Sequence, residues 1–373
     1  MHLFYNGRFL TQNVTGVQRY SHEVLAAWDQ ILAASPAIRA RFQITVITPS
    51  GGLLYRPNWR HIKLRTIGRL GGHAWEQLEL PFAIDGPLFC PGNTAPVLSL
   101  VAGRPVFVAI HSLAYRYFPS AYSLPFRVAY ILITPLVLRF ARRVITVSEA
   151  ERKSIARFYP RRVDRVATIH LGGTSDEGRS AIPTIAPITT HRPYILYVGS
   201  LTRSKNIQGI IAAAKRLISG TSLNFVFAGD IAGNFARMNL AIPPELLSRL
   251  HFLGHLGNSE LVAWYKGAEC LLFPSFYESF GLPAIEAMVC GCPVVASDIP
   301  ALREICGSAA LYCDPIDIAS IVTAIRGVTE NTTTRSEMIT RGFAQAQKFS
   351  WEVCARSLLE IIEKEIGVEN SQD

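Results

Sequence analysis

The sequence predicts an α/β protein with two doubly wound domains, each built on a parallel sheet. The chain has 373 residues, more than one core usually supports, so two domains of roughly 150 to 200 residues are expected. Short β-branched runs recur along it, and they are almost continuously apolar. Such runs are typical of parallel strands that are covered on both faces. Helix-like segments separate them, which favours alternating strands and helices.

The elements follow one another along the chain in this alternating pattern. Eight apolar runs predict strands at 44–48, 106–110, 144–148, 194–199, 223–229, 270–274, 293–297 and 309–313. Apolar spacing predicts helices at 206–219, 259–268, 283–290 and 315–327, and a last helix begins at Trp351. In such domains ligands bind outside the carboxyl ends of the strands.

One stretch interrupts the alternation. Residues 171–193 are rich in Gly, Ser, Thr and Pro and have no periodicity, which indicates a domain boundary. We therefore expect an N-terminal domain at 1–172, a linker at 173–192 and a C-terminal domain at 193–350. The C-terminal helix, 351–366, could pack back on the first domain.

Charge is distributed unevenly. Residues 1–180 contain 22 Lys and Arg against 10 Asp and Glu, a net +12, whereas the remainder has 15 against 18, a net −3. A basic half suggests nucleic acid, an anionic membrane or a phosphorylated substrate as a partner. An Arg-rich solvated face is the alternative.

Four arginines lie beside apolar sequence and favour docking on an anionic membrane: Arg127, Arg139, Arg142 and Arg143. A buried helix with ordinary surface arginines is the alternative. The apolar stretch 122–143 contains Arg127 and two prolines, so a membrane-spanning helix is not expected.

Cysteine usage bears on the compartment. The seven cysteines form no Cys-x-x-Cys pair, so the sequence predicts neither a disulfide framework nor a zinc site, and it fits a reducing cytosol. The first residues lack the pattern of a secretory signal peptide. We expect a cytoplasmic protein.

The stretch SFYESFGLPAIEAMVCG contains two candidate carboxylates, Glu278 and Glu286. We interpret it as a loop that leaves a strand, followed by a helix that begins at Pro283 and has Glu286 in its first turn. The helix start near Gly281 and Leu282 suits a phosphate, and carboxylates accept hydrogen bonds from sugar hydroxyls. Together they indicate a nucleotide sugar. Alternatively, Glu286 only complements the helix dipole and Glu278 is solvated.

The stretch YVGSLTRSKN contains the candidate cations. The predicted strand ends at Gly199, a donor-binding candidate, and the following loop holds Arg203 and Lys205. Two cations at a strand end could neutralise a departing diphosphate, or they could be solvated loop residues. Neither Gly-x-x-x-x-Gly-Lys-Ser/Thr nor Gly-x-Gly-x-x-Gly occurs, which disfavours triphosphate hydrolysis and nicotinamide binding.

The first half offers two weaker candidates. Gly16 precedes a helix and could let an anion approach the backbone, although an ordinary turn would look the same. His111 follows a buried strand, where it is either structural or faces a ligand. No Asp-x-Asp or His/Cys cluster occurs, so we expect no catalytic metal and no cofactor. The stretch at 72–84 is assigned no chemistry.

The segment FPSFYESFGLPAIEAMVCGCPVVASDIPALREICGSAALYCDP resembles the retaining glycosyltransferases of family 4, whose GT-B fold has two facing Rossmann-like domains. The Glu-x7-Glu pair is the signature. The stretches YILYVGSLTRSKN, GVQRYSHEVL, WEQLELP, RRVITVSEAERKSI and FSWEVCARSLLEII resemble the same family. The likeness covers most of the chain and is strongest over 194–315.

The resemblance implies roles for the candidate residues. Glu286 would hold the ribose, Glu278 the donor sugar, and Lys205 the diphosphate. In the N-terminal domain, Gly16 would match the glycine loop, and His111 would lie near the reacting carbon. Three consecutive residues would supply backbone groups to the diphosphate and sugar: Phe280, Gly281 and Leu282.

This chain departs from the family pattern twice. Relatives commonly have adjacent Arg-Lys where this chain has Ser204 and Lys205, with Arg203 one place earlier. Many also have His-Asp where this chain has His111 and Ser112. The first departure leaves open which arginine binds the diphosphate. The second leaves His111 without an adjacent carboxylate.

The stretches GVQRY and WEQLELP and the loop led by His111 look most like mannosyltransferases of bacterial surface polysaccharide assembly. The resemblance implies retaining, metal-independent transfer of a hexose from a nucleotide diphosphate sugar, with mannose from GDP-mannose as the first choice. The acceptor would be a glycan or a polyprenyl-diphosphate-linked oligosaccharide in surface polysaccharide synthesis, on the inner face of the cytoplasmic membrane. A sugar-nucleotide epimerase or a phosphorylase could share the fold. A nucleic-acid-binding protein is suggested only by the pI of 9.3, and no nucleic-acid partner is expected.

Overall fold

The computed structural model describes residues 1–173, 193–229 and 242–367. They form two α/β units. The first comprises residues 1–172 together with the segment from Ser350 onward, and the second comprises Gly173–Phe349. Apart from Gly173, the linker predicted at 173–192 lies outside the described residues.

The described part of the first unit contains a parallel sheet of seven strands in the order β3-β2-β1-β4-β5-β6-β7. Its strands are β1 His2–Asn6, β2 Gln43–Pro49, β3 Lys63–Ile67, β4 Leu88–Cys90, β5 Val106–Ile110, β6 Arg143–Thr146 and β7 Val166–Thr168. Its helices up to the end of this sheet are α1 Gly16–Ala34, α2 Pro36–Arg41, α3 Gly72–Leu78, α4 Val97–Val101, α5 Ala114–Tyr117, α6 Leu124–Phe140 and α7 Glu149–Phe158.

The second unit has a parallel sheet of six described strands in the order β10-β9-β8-β11-β12-β13. These are β8 Tyr194–Val198, β9 Asn224–Ala228, β10 Leu250–Gly254, β11 Cys270–Phe273, β12 Val294–Ser297 and β13 Ala310–Cys313. Its helices are α8 Ile207–Ile218, α9 Asn258–Gly267, α10 Leu282–Val289, α11 Pro300–Cys306, α12 Ile318–Thr329 and α13 Thr332–Ala346.

The strands explain the apolar runs of the sequence. All residues of β5, β9 and β11 are buried, because helices cover both faces of a parallel sheet. The predicted fold class, two doubly wound parallel sheets, is confirmed. All eight predicted strands occur, but five others were not predicted: β1, β3, β4, β7 and β10. Of these, β4 and β7 have three residues each, and the edge strand β3 has the mostly exposed sequence KLRTI, so their apolar signal is weak.

Each sheet reverses its strand order at one place. In the first unit the reversal lies between β1 and β4, and in the second between β8 and β11. Loops diverge to opposite faces there, which leaves a crevice outside the carboxyl ends of the two strands. The sequence candidates that follow β8 and β11 therefore lie at the switch point of the second unit.

The C-terminal helix, α14 Trp351–Gly367, packs against α1 of the first unit. The indole Nε1 of Trp28 donates to the carbonyl of Ala355 at 2.8 Å. The side chain of Glu365 pairs with Arg142 at 3.4 Å and with Arg143 at 3.3 Å. Two of the four arginines that were assigned to membrane docking, Arg142 and Arg143, therefore form ion pairs within the protein. Among the described residues, no helix combines the length and apolarity needed to cross a bilayer.

Candidate functional site

The candidates from the sequence fall into two groups. The second unit holds Gly199, Arg203, Lys205, Glu278, Phe280, Gly281, Leu282 and Glu286, and the first unit holds Gly16 and His111.

Lys205 and Glu278 meet at the switch point of the second unit. The Nζ of Lys205 lies 2.5 Å from Oε1 of Glu278, and the two side chains are 24% and 10% exposed. The backbone N–H of Phe276 donates to the carbonyl of Ser204 at 2.9 Å, which ties together the loops after β8 and β11. An ion pair with this little exposure holds both side chains in one geometry.

The loop that presents Lys205 is shaped by Asn206. This residue has φ 59° and ψ 41°, the left-handed conformation that Asn tolerates better than most residues. Its side-chain oxygen accepts from the N–H of Gly209 at 3.1 Å, which caps α8, and its amide donates to the carbonyl of Pro315 at 2.7 Å. Asn206 thus fixes the backbone beside the cation. Arg203 is exposed in the preceding 3₁₀ turn.

Helix α10 begins at the candidate residues Gly281 and Leu282. Its N-cap, Gly281, has φ 114°, and a Cβ there would come within 2.7 Å of Cδ2 of Leu302. A glycine is therefore needed for both conformation and packing. Pro283 lacks an N–H, and the first N–H groups of a helix have no intrahelical acceptors. Leu282 lies at this positive helix start.

The structure corrects the position of Glu286. Because α10 begins at Leu282, Glu286 is its fifth residue and lies beyond the first turn. Its side chain is buried, 4% exposed, and accepts a hydrogen bond from the hydroxyl of Tyr265 on α9 at 3.0 Å. Complementing the helix dipole from the first turn is thereby excluded as its role.

Two further candidates are packed into the protein. Phe280 is 3% exposed, and its ring meets Phe349 edge to face with centroids 5.7 Å apart, so only its backbone is available to a ligand. Gly199 has φ 145° at the end of β8, and its carbonyl occupies the place that a Cβ on Gly229 would take. The two glycines let the loops after β8 and β9 approach closely.

The first unit contains a cavity of about 440 Å³ at the carboxyl ends of β1, β4 and β5. Its polar wall includes a buried ion pair in which Nε of Arg8 lies 3.2 Å from Oε2 of Glu76. Sequence reasoning missed both residues. Arg8 follows β1, which was not predicted as a strand, and Glu76 lies on α3, in the stretch to which no chemistry was assigned. The WEQLELP resemblance contained Glu76, but none of the stretches that carried the resemblance contained Arg8.

Glu76 is held ionised by its neighbours. It is 1% exposed, and it accepts hydrogen bonds from Asn6 Nδ2 at 2.8 Å and from Thr94 Oγ1 at 2.7 Å. Burial alone would raise the pKa of Glu76, but Arg8, followed by His73 and Thr94, outweighs burial and lowers the pKa to about 2. The carboxylate therefore cancels the guanidinium charge at this wall of the cavity.

His73 completes this cluster. Nη1 of Arg8 lies 3.0 Å from Nε2 of His73. A guanidinium only donates, so Nε2 is the acceptor in this contact. The other ring nitrogen, Nδ1, faces Oε1 of Glu76 at 3.6 Å.

His111 and Gly16 line or border the same cavity. His111 is buried, and its Nε2 donates to the carbonyl of Pro91 at 2.6 Å. Burial outweighs this hydrogen bond and lowers the pKa of His111 to about 4, so the ring is neutral at pH 7. Gly16 opens α1, and apart from its chain neighbours and the backbone of α1 itself, no described atom lies within 4 Å of the place its Cβ would take. The space beside its backbone is open to a ligand.

An aromatic stack forms another part of the cavity wall. The ring centroid of Phe126 lies 5.1 Å from that of Tyr122 and 4.1 Å from that of Tyr130, with interplanar angles of 17° and 19°. Phe126 and Tyr130 belong to α6. Aromatic and neutral polar groups in one cavity provide the apolar body and fixed polar contacts typical of small-molecule sites.

Most of the second unit matches a known protein family. Residues 179–345 match the family described as glycosyl transferases group 1. The chain is 32% identical over 225 residues to O-antigen chain mannosyltransferase B of Escherichia coli, covering 57% of this chain and 58% of that protein. It is 26% identical over 236 residues to O-antigen chain mannosyltransferase RfbU of Salmonella typhimurium, covering 63% of each. The chain thus spans less than two thirds of the length of these curated relatives.

A solved structure resembles nearly the whole chain. Sucrose-phosphate synthase from Thermosynechococcus elongatus superposes with a TM-score of 0.75 at 19% identity, over 98% of this chain and 99% of that one. At this identity the likeness bears on the fold alone, and it confirms the predicted GT-B architecture of two Rossmann-like domains. Residues 179–345 of this chain are thus similar in sequence to the glycosyltransferase group 1 family.

Proposed function

We propose that the chain is a retaining, metal-independent glycosyltransferase that moves a hexose from a nucleotide diphosphate sugar to a glycan. The observation that carries the proposal is the Lys205–Glu278 pair, which lies beside the start of α10 at the switch point of a glycosyltransferase group 1 domain. A cation, a helix N-terminus and a carboxylate can together hold a diphosphate and a sugar.

The proposed chemistry gives each of these groups a role, and it takes the direction of attack from the family resemblance. Lys205, Arg203 and the N–H groups at the start of α10 stabilise the negative charge that develops on the leaving diphosphate. Glu278 accepts hydrogen bonds from the donor sugar, and Glu286 holds the ribose. The acceptor hydroxyl attacks on the face from which the diphosphate departs, and the departing phosphate takes its proton. The configuration at the reacting carbon is then retained.

The substrates are proposed from the relatives and from charge. Two relatives are named O-antigen chain mannosyltransferases, which supports mannose, and GDP-mannose is the first donor to test. The acceptor is proposed to be a glycan carried on polyprenyl diphosphate in the synthesis of lipopolysaccharide or exopolysaccharide. The enzyme would then work in the cytoplasm, on the inner face of the membrane.

We assign the acceptor sugar to the cavity of the first unit. Glu76 neutralises Arg8, and His111 is neutral, so this wall offers hydrogen bonds while its ion pair is balanced. The stacked rings of Tyr122, Phe126 and Tyr130 add a surface for the apolar faces of a sugar ring. Such a cavity favours an uncharged sugar over a phosphate.

The experiment begins with thermal unfolding in a panel of nucleotide sugars and free nucleotides. A ligand that binds the folded state alone raises the unfolding temperature, and we expect GDP-mannose to do so. Transfer is then measured with and without acceptor, with and without EDTA, and the anomeric configuration of the product is read by NMR. An inverted product, or loss of transfer in EDTA, would contradict the mechanism. Conversion without acceptor would indicate an epimerase, and dependence on inorganic phosphate a phosphorylase.

A further inference from the structure

Helix α6 exposes an apolar face to solvent. Leu124, Val128, Ile131 and Leu132 are 67%, 46%, 37% and 63% exposed. They are spaced by four, seven and eight residues from Leu124, so they share one face of the helix.

The opposite side of α6 is apolar as well. Tyr130, Thr134, Val137 and Leu138 are buried in the first unit. A helix on the surface of a globular protein normally turns charged or polar residues to water, but α6 has only Arg127 and Arg139 as charged residues and no acidic residue. Its outward face therefore needs a partner that is not water.

The neighbouring helix α4 also exposes apolar side chains. It packs against α6 and exposes Leu98 and Val101 at 46% and 52%. The α4–α6 surface is defined here by six residues: Leu98, Val101, Leu124, Val128, Ile131 and Leu132.

Charge around the α4–α6 surface indicates the chemistry of the partner. Residues 86–148 contain six arginines and neither Asp nor Glu. Arg127 and Arg139 lie on α6 itself, and in the described ranges no acidic side chain pairs with either. An apolar face on a helix that carries cations and no acidic residue of its own matches the boundary of an anionic bilayer, where the cations meet lipid phosphates.

The length of α6 decides between crossing a bilayer and lying on it. Its 17 residues extend about 26 Å at roughly 1.5 Å per residue, less than the apolar core of a bilayer of about 30 Å. With arginines near both ends, the helix fits in the plane of the interface.

We propose that the α4–α6 surface docks on an anionic bilayer by inserting its apolar side chains at the headgroup boundary. The inference rests on the proposed function, because Phe126 and Tyr130 on the same helix line the cavity assigned to the acceptor sugar. Docking through α6 places that cavity beside the membrane. A lipid-anchored acceptor can then keep its lipid in the bilayer while its sugar enters the cavity.

The test is co-sedimentation of the full chain with vesicles of phosphatidylcholine alone and with about a third phosphatidylglycerol. We expect binding to the anionic vesicles, weakened by salt. The variant L124S/L132S should bind at least about tenfold more weakly, because each buried leucine contributes on the order of tenfold in affinity. The matched control is L247S/I316S, whose parent residues in the second unit are 61% and 80% exposed; it should bind as the wild type does.

Charge is tested by R127Q/R139Q against R326Q/R341Q. The first variant should lose affinity for anionic vesicles, and the second should not. Equal binding by L124S/L132S and the wild type, or no wild-type binding to anionic vesicles, would overturn the proposal. So would self-association that L124S/L132S abolishes without any vesicle binding, because the surface would then join copies of the chain.

Transfer assays separate this inference from the proposed function. L124S/L132S should transfer to a short water-soluble acceptor at the wild-type rate, and it should lose transfer to a lipid-linked acceptor in anionic vesicles. If the wild type binds anionic vesicles and L124S/L132S binds them more weakly, but neither form transfers to either acceptor, the proposed function fails while the docking surface stands.

Discussion

Lys205 and Glu278 neutralise each other across the switch point of the second unit, with Nζ and Oε1 2.5 Å apart. One follows β8 and the other follows β11, two strands that are neighbours in the sheet although β9 and β10 separate them in sequence. A nucleotide sugar that binds here must therefore supply both residues with new partners, phosphate for the ammonium and hydroxyls for the carboxylate.

Replacing Lys205 by Ala should lower kcat by about 10²- to 10³-fold, because it removes one charge that stabilises the leaving group. Steady-state transfer kinetics measure the change. Lys215→Ala is the control, since that side chain is 62% exposed and its Nζ lies 3.8 Å from Glu245. Equal kcat values for Lys205→Ala and the wild type would remove Lys205 from the mechanism.

Replacing Glu278 by Ala should reduce turnover more than donor affinity. The substitution removes contacts to the donor sugar, where the transition state forms, while the phosphate and ribose contacts stay. Donor affinity is measured by calorimetry and kcat by transfer assay. Glu245→Ala, at a carboxylate that is 59% exposed, controls for loss of one negative charge. A variant with normal kcat and weakened binding would reverse the assignment.

Replacing Glu286 by Ala should weaken binding of the nucleotide sugar and of the free nucleotide alike, because the ribose is common to both. The loss of one hydrogen-bonded charged group corresponds to roughly 10- to 100-fold in affinity. Tyr265→Phe removes only the hydroxyl that donates to Glu286, so it should have a smaller effect. Unaltered nucleotide affinity in a folded Glu286→Ala variant would contradict the ribose role.

Burial of His111 makes stability depend on pH. The pKa of His111 is lowered from 6.5 to about 4, so the unfolded chain binds this proton more readily. Its contribution to stability is complete above pH 6.5 and is lost as the pH falls towards 4, by about 3 kcal/mol in all. Urea unfolding at pH 7 and pH 4.5 measures this. His111→Gln should lose less stability between the two pH values than the wild type, and an equal loss would contradict the neutral buried ring.

Removing one partner of the Arg8–Glu76 ion pair should lower the free energy of unfolding substantially. Glu76→Gln leaves the buried guanidinium without a countercharge, and we expect a loss of about 3 to 5 kcal/mol in the free energy of unfolding. Glu352→Gln, in a surface pair with Arg356 at 2.8 Å, should cost less than about 1 kcal/mol. The double variant R8M/E76L should be more stable than the sum of its single variants implies. Additive losses would show that the two residues do not act as a pair.

The sequence by itself determined the alternation of strands and helices and the loops that carry Lys205 and Glu278. Apolar runs and turn residues act locally, so β5 occurs at the predicted residues, Val106–Ile110, and α10 begins next to the predicted Pro283. The sequence also predicted the start of that helix near Gly281, which is its N-cap.

Only the tertiary structure decided which charges meet. Arg8 and Glu76 lie far apart in sequence and pair because β1 and α3 bring them to one cavity, and Glu365 on α14 pairs with Arg142 and Arg143. The sequence could not predict that one face of α6 is exposed. An apolar helix has the same sequence pattern whether the protein covers one side of it or both. The periodicity of apolar residues predicts the secondary structure of a segment. Which of its charged side chains form ion pairs, and which of its faces are exposed, depends on the elements that pack against it.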